Sequence, residues 1–287
     1  MPTGMVIGNC QSEEFARFLN LNIDGYVFDF HRIMDGDKDG AAYAKVLDAD
    51  VVLSCVMGES FGSFATEALK KVRDIVTHTN IYFKGLFPDI ATLGVMNHRL
   101  RSPMGDYHGQ IILYGYAKGL CVTDTSSLFN EKNFDALGYQ NVWEESSRSL
   151  ISRDAVVDVK VAQRVIDESR ERLTLYMMNH PAAAAVEITA RALADRIGIN
   201  LHPNAMDYYA NGLTRYGAWA VHPLVAEAHG LRPAPALYML PFSGGKVVCQ
   251  DELIALCFAH YDKTGREIVL SEAAKEIANV AQILDVV

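Results

Sequence analysis

The chain has 287 residues, half of them hydrophobic and about a fifth charged, so it can bury a sizeable core as one large domain or two closely packed ones. A formal net charge of -9 argues against broad nucleic-acid binding, because neutralising many phosphates requires an excess of Lys and Arg. The sequence has no apolar run long enough to cross a bilayer and no secretory signal at its start, so we expect a cytoplasmic protein. Its five cysteines lack the spacing of a disulfide framework or a zinc site, and no metal site is expected.

The first part of the chain alternates short apolar runs with helical stretches. Strands are predicted at residues 5–7, 26–28, 50–54 and 80–83, and helices at 11–19, 41–47 and 66–76. Apolar strands separated by single helices are typical of a parallel sheet that is covered by helices on both faces. Ligands of such sheets bind at the carboxyl ends of the strands.

Beyond Phe129 the patterns become mainly helical, at residues 156–175, 182–197 and 271–284. We therefore predict an α/β fold in which an amino-terminal parallel sheet flanked by helices occupies residues 1–128. A mainly helical half, residues 129–287, is expected to pack against it with the ligand between the two.

Cys10 lies in the turn Gly8-Asn9-Cys10-Gln11, directly after the first strand and before a helix. A helix amino terminus stabilises negative charge, so we expect a lowered pKa for the Cys10 thiol and therefore a nucleophilic thiolate. Gly8 permits the close turn, and the amides of Asn9 and Gln11 are expected to donate to an oxyanion beside the sulfur. The placement is similar to that of the nucleophile in SGNH hydrolases, with Cys in place of Ser. The alternative is a cysteine packed as a small hydrophobic residue.

A cysteine nucleophile needs a base or a cationic neighbour, and histidine is the usual one. His108 lies in a polar loop before an apolar run, and His180 lies at a predicted helix start. Either one is expected to line the site or, alternatively, to cap backbone groups. Asp89 follows the predicted fourth strand, where its carboxylate would orient an imidazole or simply begin the next helix.

Five short motifs occur in an order that resembles one family. They are V-I-G-N-C-Q at 6–11, F-K-G-L-F-P-D at 83–89, Y-H-G at 107–109, N-F-D-A-L-G-Y at 133–139 and N-H-P at 179–181. Together they resemble the WcbI-type polysaccharide biosynthesis proteins over roughly the first two thirds of the chain. Family members tend to have Tyr-His-Ser where this chain has Gly109, so any role of that hydroxyl is lost.

The resemblance implies a protein that binds coenzyme A or acetyl-CoA and acetylates a sugar hydroxyl in capsule or exopolysaccharide assembly. It places Cys10 and Gln11 in the site, with His108 and His180 as partners. The cations expected near the coenzyme phosphates are Arg32, Lys84, Arg99 and Arg101. The alternatives are an SGNH-like cysteine esterase or thioesterase, and a non-catalytic protein that binds coenzyme A or a nucleotide sugar. The oligomeric state and the identity of the sugar stay open.

Overall fold

The structure, a computed structural model, describes residues 1–37, 40–95, 98–202, 206–207, 209–232 and 236–286. The helices are α1 Gln11–Asn22, α2 Ala41–Asp48, α3 Thr66–Lys70, α4 Gln110–Lys118, α5 Val122–Ser127, α6 Glu131–Ala136, α7 Asn141–Asp154, α8 Ala162–Glu168, α9 Ala183–Arg196, α10 Pro223–His229, α11 Gln250–Thr264, α12 Arg266–Glu272 and α13 Ala274–Leu284. The strands are β1 Thr3–Gly8, β2 Val27–Arg32, β3 Val51–Cys55, β4 Val76–His78, β5 Ile90–Ala91, β6 Gly94–Val95, β7 His98–Arg99, β8 His108–Gly109, β9 Leu175–Met177, β10 His180–Pro181, β11 Tyr238–Met239 and β12 Val247–Val248. Short 3-10 helices cover Ile33–Asp35, Glu59–Phe64 and Gly212–Tyr216.

The chain forms two compact units, each built from separate segments. The first unit contains residues 1–83, 147–175 and 179–213, and the second contains residues 84–146, 176–178 and 214–287. Both units therefore draw on both halves of the chain. The division into folding domains at residue 128 stays a prediction.

The first unit is organised around a four-stranded parallel sheet with the strand order β2-β1-β3-β4. Gly8 at the end of β1 lies opposite Arg32 in β2, and Cys55 at the end of β3 lies opposite His78 in β4. Because all four strands run the same way, their carboxyl ends share one edge of the sheet. The turn that carries Cys10 begins at this edge.

Apolar side chains cover both faces of this sheet, as expected for strands that read as continuous hydrophobic runs. On one face Met5, Ile7, Val46, Phe64 and Leu69 belong to a single buried cluster. Helix α1 contacts β1, β2 and α9, and it buries an apolar stripe that includes Phe15, Phe18 and Leu19. Burial of these side chains holds the start of α1 in place over the end of β1.

The predicted α/β class is confirmed, and the first three strands lie close to their predicted positions. The predicted fourth strand at 80–83 is wrong, because Val76–His78 pairs with β3 and residues 79–84 follow it without regular structure. The helix predicted at 66–76 is only the five-residue α3. The helix predicted at 156–175 is the shorter α8 followed by β9.

The second unit is mainly helical. Helix α4 contacts α5, α11 and α13, and α11 also contacts α5 and α12. Short antiparallel strand pairs, β5 with β8 and β11 with β12, connect these helices. Across the described ranges, no helix combines the length and the apolar character needed to cross a membrane.

Candidate functional site

Cys10 occupies the N-cap position of α1, directly beyond the end of β1. Its thiol is free and partly exposed. Burial removes most of the solvent around the thiol and raises its pKa to about 11. The Arg32 charge acts in the opposite direction but is too weak to compensate. The expectation of a lowered pKa is therefore wrong: desolvation of the thiolate outweighs the nearby cation, and Cys10 is a neutral thiol at pH 7.

Asn9 fastens the start of α1 to the segment that follows β4. Its side-chain Oδ1 accepts a hydrogen bond from the backbone N–H of Gln11 at 3.0 Å. Its Nδ2 donates to Oδ1 of Asn80 at 2.8 Å. The hydroxyl of Ser12 donates a hydrogen bond to the backbone oxygen of Asn9 at 2.8 Å. The turn around Cys10 is thus tied to a second segment at the carboxyl edge of the sheet.

Gln11 is 2% exposed, and its side chain is fully occupied by backbone groups. Its Nε2 donates to the carbonyl oxygens of Ile81 at 2.7 Å and Asn179 at 3.0 Å, while its Oε1 accepts from the N–H of Ile81 at 3.1 Å. A glutamine amide has only two N–H donors, and both are used here. The structure corrects the predicted role of Gln11 as an oxyanion donor, because the residue fixes the local backbone instead.

Gly8 lies in a closely packed position at the end of β1. A Cβ atom at Gly8 would lie 3.2 Å from Sγ of Cys55, in the neighbouring strand. Cys55 is buried, and burial raises the pKa of its thiol to about 11. Any side chain at position 8 would therefore press against Cys55, which is a packing residue.

Arg153 and Asp154 form hydrogen bonds that hold the segment following β4 in place. Arg153 donates from its two terminal nitrogens to the carbonyl oxygens of Asn80 and Tyr82, each at 2.7 Å. The hydroxyl of Thr79 donates to Oδ1 of Asp154 at 2.6 Å. The sequence-based prediction missed Asn80 and Arg153, because it placed a strand at 80–83. Placing the strand end at His78 would have marked Asn80 as a residue of the sheet edge.

Arg32 and His31 lie at the end of β2. Arg32 forms ion pairs with Asp35 at 2.8 Å and Glu13 at 3.4 Å and lowers the pKa of Cys10 slightly through its charge. The imidazole of His31 stacks on Phe64 with a centroid distance of 4.8 Å, and burial lowers its pKa. Within the described residues its buried Nε2 has no hydrogen-bond partner.

His180 belongs to the first unit, as Cys10 does, and it lies in β10 two residues before the N-cap of α9. Its side chain is buried, and desolvation lowers its pKa to about 4. The imidazole is therefore neutral at pH 7 and able to accept a proton, but its low pKa makes it a weaker base than an ordinary histidine. Its assignment as a site residue stays a prediction.

His108 lies in the second unit and is 0% exposed. Its Nε2 faces the carbonyl oxygen of Leu100 at 3.1 Å, and its Nδ1 faces the hydroxyl of Tyr261 at 2.9 Å. Since a carbonyl oxygen can only accept, Nε2 carries the proton and Nδ1 accepts from Tyr261. Burial lowers the His108 pKa to about 4. Both nitrogens are satisfied by the protein, so these contacts favour a structural role over that of a base.

Asp89 anchors the start of α4 and does not begin a helix of its own. Its Oδ1 accepts from the backbone N–H of Ile111 at 3.0 Å and from the hydroxyl of Tyr139 at 2.7 Å. Burial raises the pKa of its carboxyl to about 6. A Cβ atom at Gly109 would lie 2.8 Å from Oδ2 of Asp89. The carboxylate thus fills the space that a serine at position 109 would need.

Three predicted phosphate-binding cations belong to the second unit. Arg99 and Arg101 share the carboxylate of Asp106, at 3.5 Å and 3.8 Å. Lys84 is half-buried, its pKa is lowered by desolvation, and it forms no ion pair with any residue that the structure describes. Among the described residues, Lys84 is therefore the cation of these three that gives up no ion pair when it binds an anion.

The comparison with protein families decides the affiliation of the chain. The model of the polysaccharide biosynthesis enzyme WcbI matches residues 3–202. This chain belongs to the WcbI family. The matched range includes the β1–α1 turn with Cys10, the segment around Asn80, and His108 and His180. The WcbI match thus covers all of the predicted site residues, and no curated protein matches the chain.

A solved WcbI structure has the same fold. It superimposes with a TM-score of 0.76 and 13% sequence identity, and the alignment covers 99% of this chain and 98% of the other. That structure is described as WcbI, a novel polysaccharide biosynthesis enzyme, as the native protein without a disulfide bond between coenzyme A and one of its cysteines. At this identity the likeness establishes the WcbI fold across the whole length of the chain.

Proposed function

We propose that this protein binds coenzyme A and transfers an acetyl group from acetyl-CoA to a sugar hydroxyl in polysaccharide biosynthesis. The observation that carries the proposal is the position of Cys10, a partly exposed thiol at the turn between β1 and α1. The chain belongs to a family of polysaccharide biosynthesis enzymes, and a solved WcbI protein is described as native protein without a disulfide bond between coenzyme A and a cysteine.

The charges of this chain suit a ligand that carries several phosphates. Arg32 lies beside the turn with Cys10, and the amino terminus of the twelve-residue α1 adds a positive dipole end. In the second unit, Lys84 is a half-buried cation without an ion pair among the described residues, and Nε of Arg99 is buried without a partner there. Arg32 and the α1 terminus would hold coenzyme phosphates at the first unit, and acetyl-CoA would supply an activated acyl group; Lys84 and Arg99 are the second unit's own candidate cations for an anion.

The raised pKa of Cys10 favours direct transfer over a covalent acyl-enzyme. In direct transfer the sugar oxygen bonds to the thioester carbonyl carbon, the carbon–sulfur bond breaks, and the hydroxyl proton passes through a base to the departing thiolate. At pH 7 Cys10 is protonated, so it would line the pocket near the coenzyme sulfur. His180, neutral at pH 7, is the proposed base of the first unit.

Ligand binding tests the first part of the proposal. We expect coenzyme A and acetyl-CoA to raise the melting temperature of the full chain, because both bind only the folded state. Pantetheine, which lacks the nucleotide phosphates, serves as the control and should give a smaller shift. No shift with either coenzyme would overturn the proposal.

Turnover tests the second part. Release of free coenzyme A from acetyl-CoA should require a sugar acceptor, and mass spectrometry should show the acceptor gaining one acetyl group. Cys10→Ala and Cys10→Ser should keep measurable turnover if transfer is direct. Release without any acceptor would instead identify a thioesterase. Tight binding with no release against a panel of glycans would identify a non-catalytic binding protein.

A further inference from the structure

The hydrogen bonds around Asn9 fix the orientation of the Asn80 side chain. The N–H of Gln11 can only donate, so the atom of Asn9 that faces it is Oδ1. The other end of the Asn9 amide is therefore Nδ2, which donates to Asn80 at 2.8 Å. The atom of Asn80 that accepts this bond must be Oδ1. Its Nδ2, with two N–H groups, consequently points away from Asn9.

The Nδ2 group of Asn80 has no hydrogen-bond partner in the described part of the chain, and the residue is only half-buried. Its backbone, by contrast, is held firmly. The guanidinium of Arg153 donates to the Asn80 carbonyl oxygen at 2.7 Å, and on the preceding residue Thr79 bonds to Asp154 at 2.6 Å. A fixed amide with unused donors is thus present at the carboxyl edge of the sheet.

The Asn80 amide lies close to the turn with Cys10. Asn9 precedes Cys10 in the chain, and its side chain donates a hydrogen bond to Asn80. The amide of Gln11 cannot serve, since both of its N–H groups bind backbone oxygens. The backbone N–H of Gln11 is also used, by Asn9. Asn9 uses one N–H group of its Nδ2 for Asn80, whereas Nδ2 of Asn80 keeps both of its N–H groups available for a ligand.

We infer that Asn80 is a catalytic residue that donates a hydrogen bond from Nδ2 to the thioester carbonyl oxygen of the acyl donor. The inference rests on the proposed acetyl transfer at this site. As the sugar oxygen attacks, negative charge develops on that carbonyl oxygen, and a donor whose position is already fixed stabilises the charge without reorganisation. Loss of one such donor typically lowers kcat by about 100-fold to 1,000-fold.

Substitutions of Asn80 distinguish its role as a hydrogen-bond donor to the ligand from its role as an acceptor for Asn9. Asn80→Asp keeps an oxygen that accepts from Asn9 and removes both N–H groups, whereas Asn80→Ser keeps one smaller donor. We expect Asn80→Asp to lower kcat by about 100-fold or more, with coenzyme A binding retained within about threefold. Asn80→Ser should recover part of the loss. Asn80→Ala, which adds no charge, covers the case in which Asn80→Asp does not fold.

A second readout does not depend on turnover. The infrared carbonyl stretch of acetyl-CoA, labelled with carbon-13 at the carbonyl, should move to lower frequency in the wild-type complex and less in the Asn80→Ala complex. An equal shift in both complexes, or an unchanged kcat in Asn80→Ala, would overturn the role of Asn80 and leave the proposed function standing. Failure of acetyl-CoA to bind the wild-type chain would overturn both.

Discussion

The side chain of Gln11 and the backbone of Ile81 are joined by a reciprocal pair of hydrogen bonds across 70 residues of sequence. Nε2 of Gln11 donates to the Ile81 carbonyl oxygen at 2.7 Å, and the Ile81 N–H donates to Oε1 at 3.1 Å. The buried amide thereby satisfies the backbone N–H and C=O groups of Ile81, which lies beyond the end of β4. It holds the first turn of α1 against the segment that carries Asn80.

Replacing Gln11 by Glu should destabilise the fold. The carboxylate still accepts from Ile81 but faces two carbonyl oxygens without a donor, and an unsatisfied buried polar group costs about 1 to 3 kcal/mol. Urea unfolding measures the change. Gln163→Glu is the matched control, since the side chain of Gln163, as far as the described residues show, bonds only to Asp167 on an exposed helix surface, and the variant should stay within about 0.5 kcal/mol of wild type. Equal effects at the two positions would contradict the structural role of Gln11.

Cys10 should alkylate slowly at neutral pH. With a pKa of about 11, roughly one thiol in ten thousand is ionised at pH 7, and only the thiolate attacks iodoacetamide. The measurement uses the variant in which the exposed Cys121 and Cys249 are both replaced by Ser, because Cys55 and Cys257 are buried. The rate, followed by mass spectrometry, should still be rising at pH 10. A rate that levels off near pH 8 would show that the helix terminus and Arg32 lower the Cys10 pKa by more than burial raises it.

His108 should make the fold sensitive to acid. Its pKa is lowered from 6.5 to about 4, so the folded state binds fewer protons than the unfolded chain between these values. The stability that it contributes is present above pH 6.5 and is lost as the pH falls toward 4, by about 3 kcal/mol at most. We expect His108→Gln to lose less stability than wild type between pH 7 and pH 4.5 in denaturant titrations. An identical pH dependence in the two proteins would show that His108 is solvated in solution.

Gly109 should not tolerate a side chain. Its φ of -83° and ψ of 127° suit any residue, so the cost of Gly109→Ser comes from the contact of Cβ with Asp89, not from backbone strain. Overpacking of this kind typically destabilises by about 1 to 3 kcal/mol. Gly58→Ala provides the control, because a Cβ there meets nothing within 4 Å and its φ is -72°. Comparable melting temperatures for both variants would mean that the Asp89 carboxylate moves aside at little cost.

The amino-acid sequence by itself determined the α/β class, the positions of β1, β2, β3 and α1, and the location of Cys10 at a strand-to-helix turn. These features depend on local patterns, namely apolar runs, helical periodicity and glycine at a close turn. The ordered motifs also indicated the family that the match over residues 3–202 establishes. Strand β4 was misplaced because residues 80–83 form the more apolar run, whereas residues 76–78 are Val-Thr-His, and only pairing with β3 identifies the latter as the strand.

Only the tertiary structure decided what the polar side chains at the turn do. The partners of Gln11 lie 70 and 168 residues away, and Tyr261, which binds His108, lies 153 residues away. The pKa of Cys10 likewise depends on how much protein surrounds the thiol, and desolvation of a thiolate outweighs a helix terminus once most of its solvent is removed. Hydrogen-bond partners and burial are set by long-range packing, whereas a motif specifies only which groups are available to be paired.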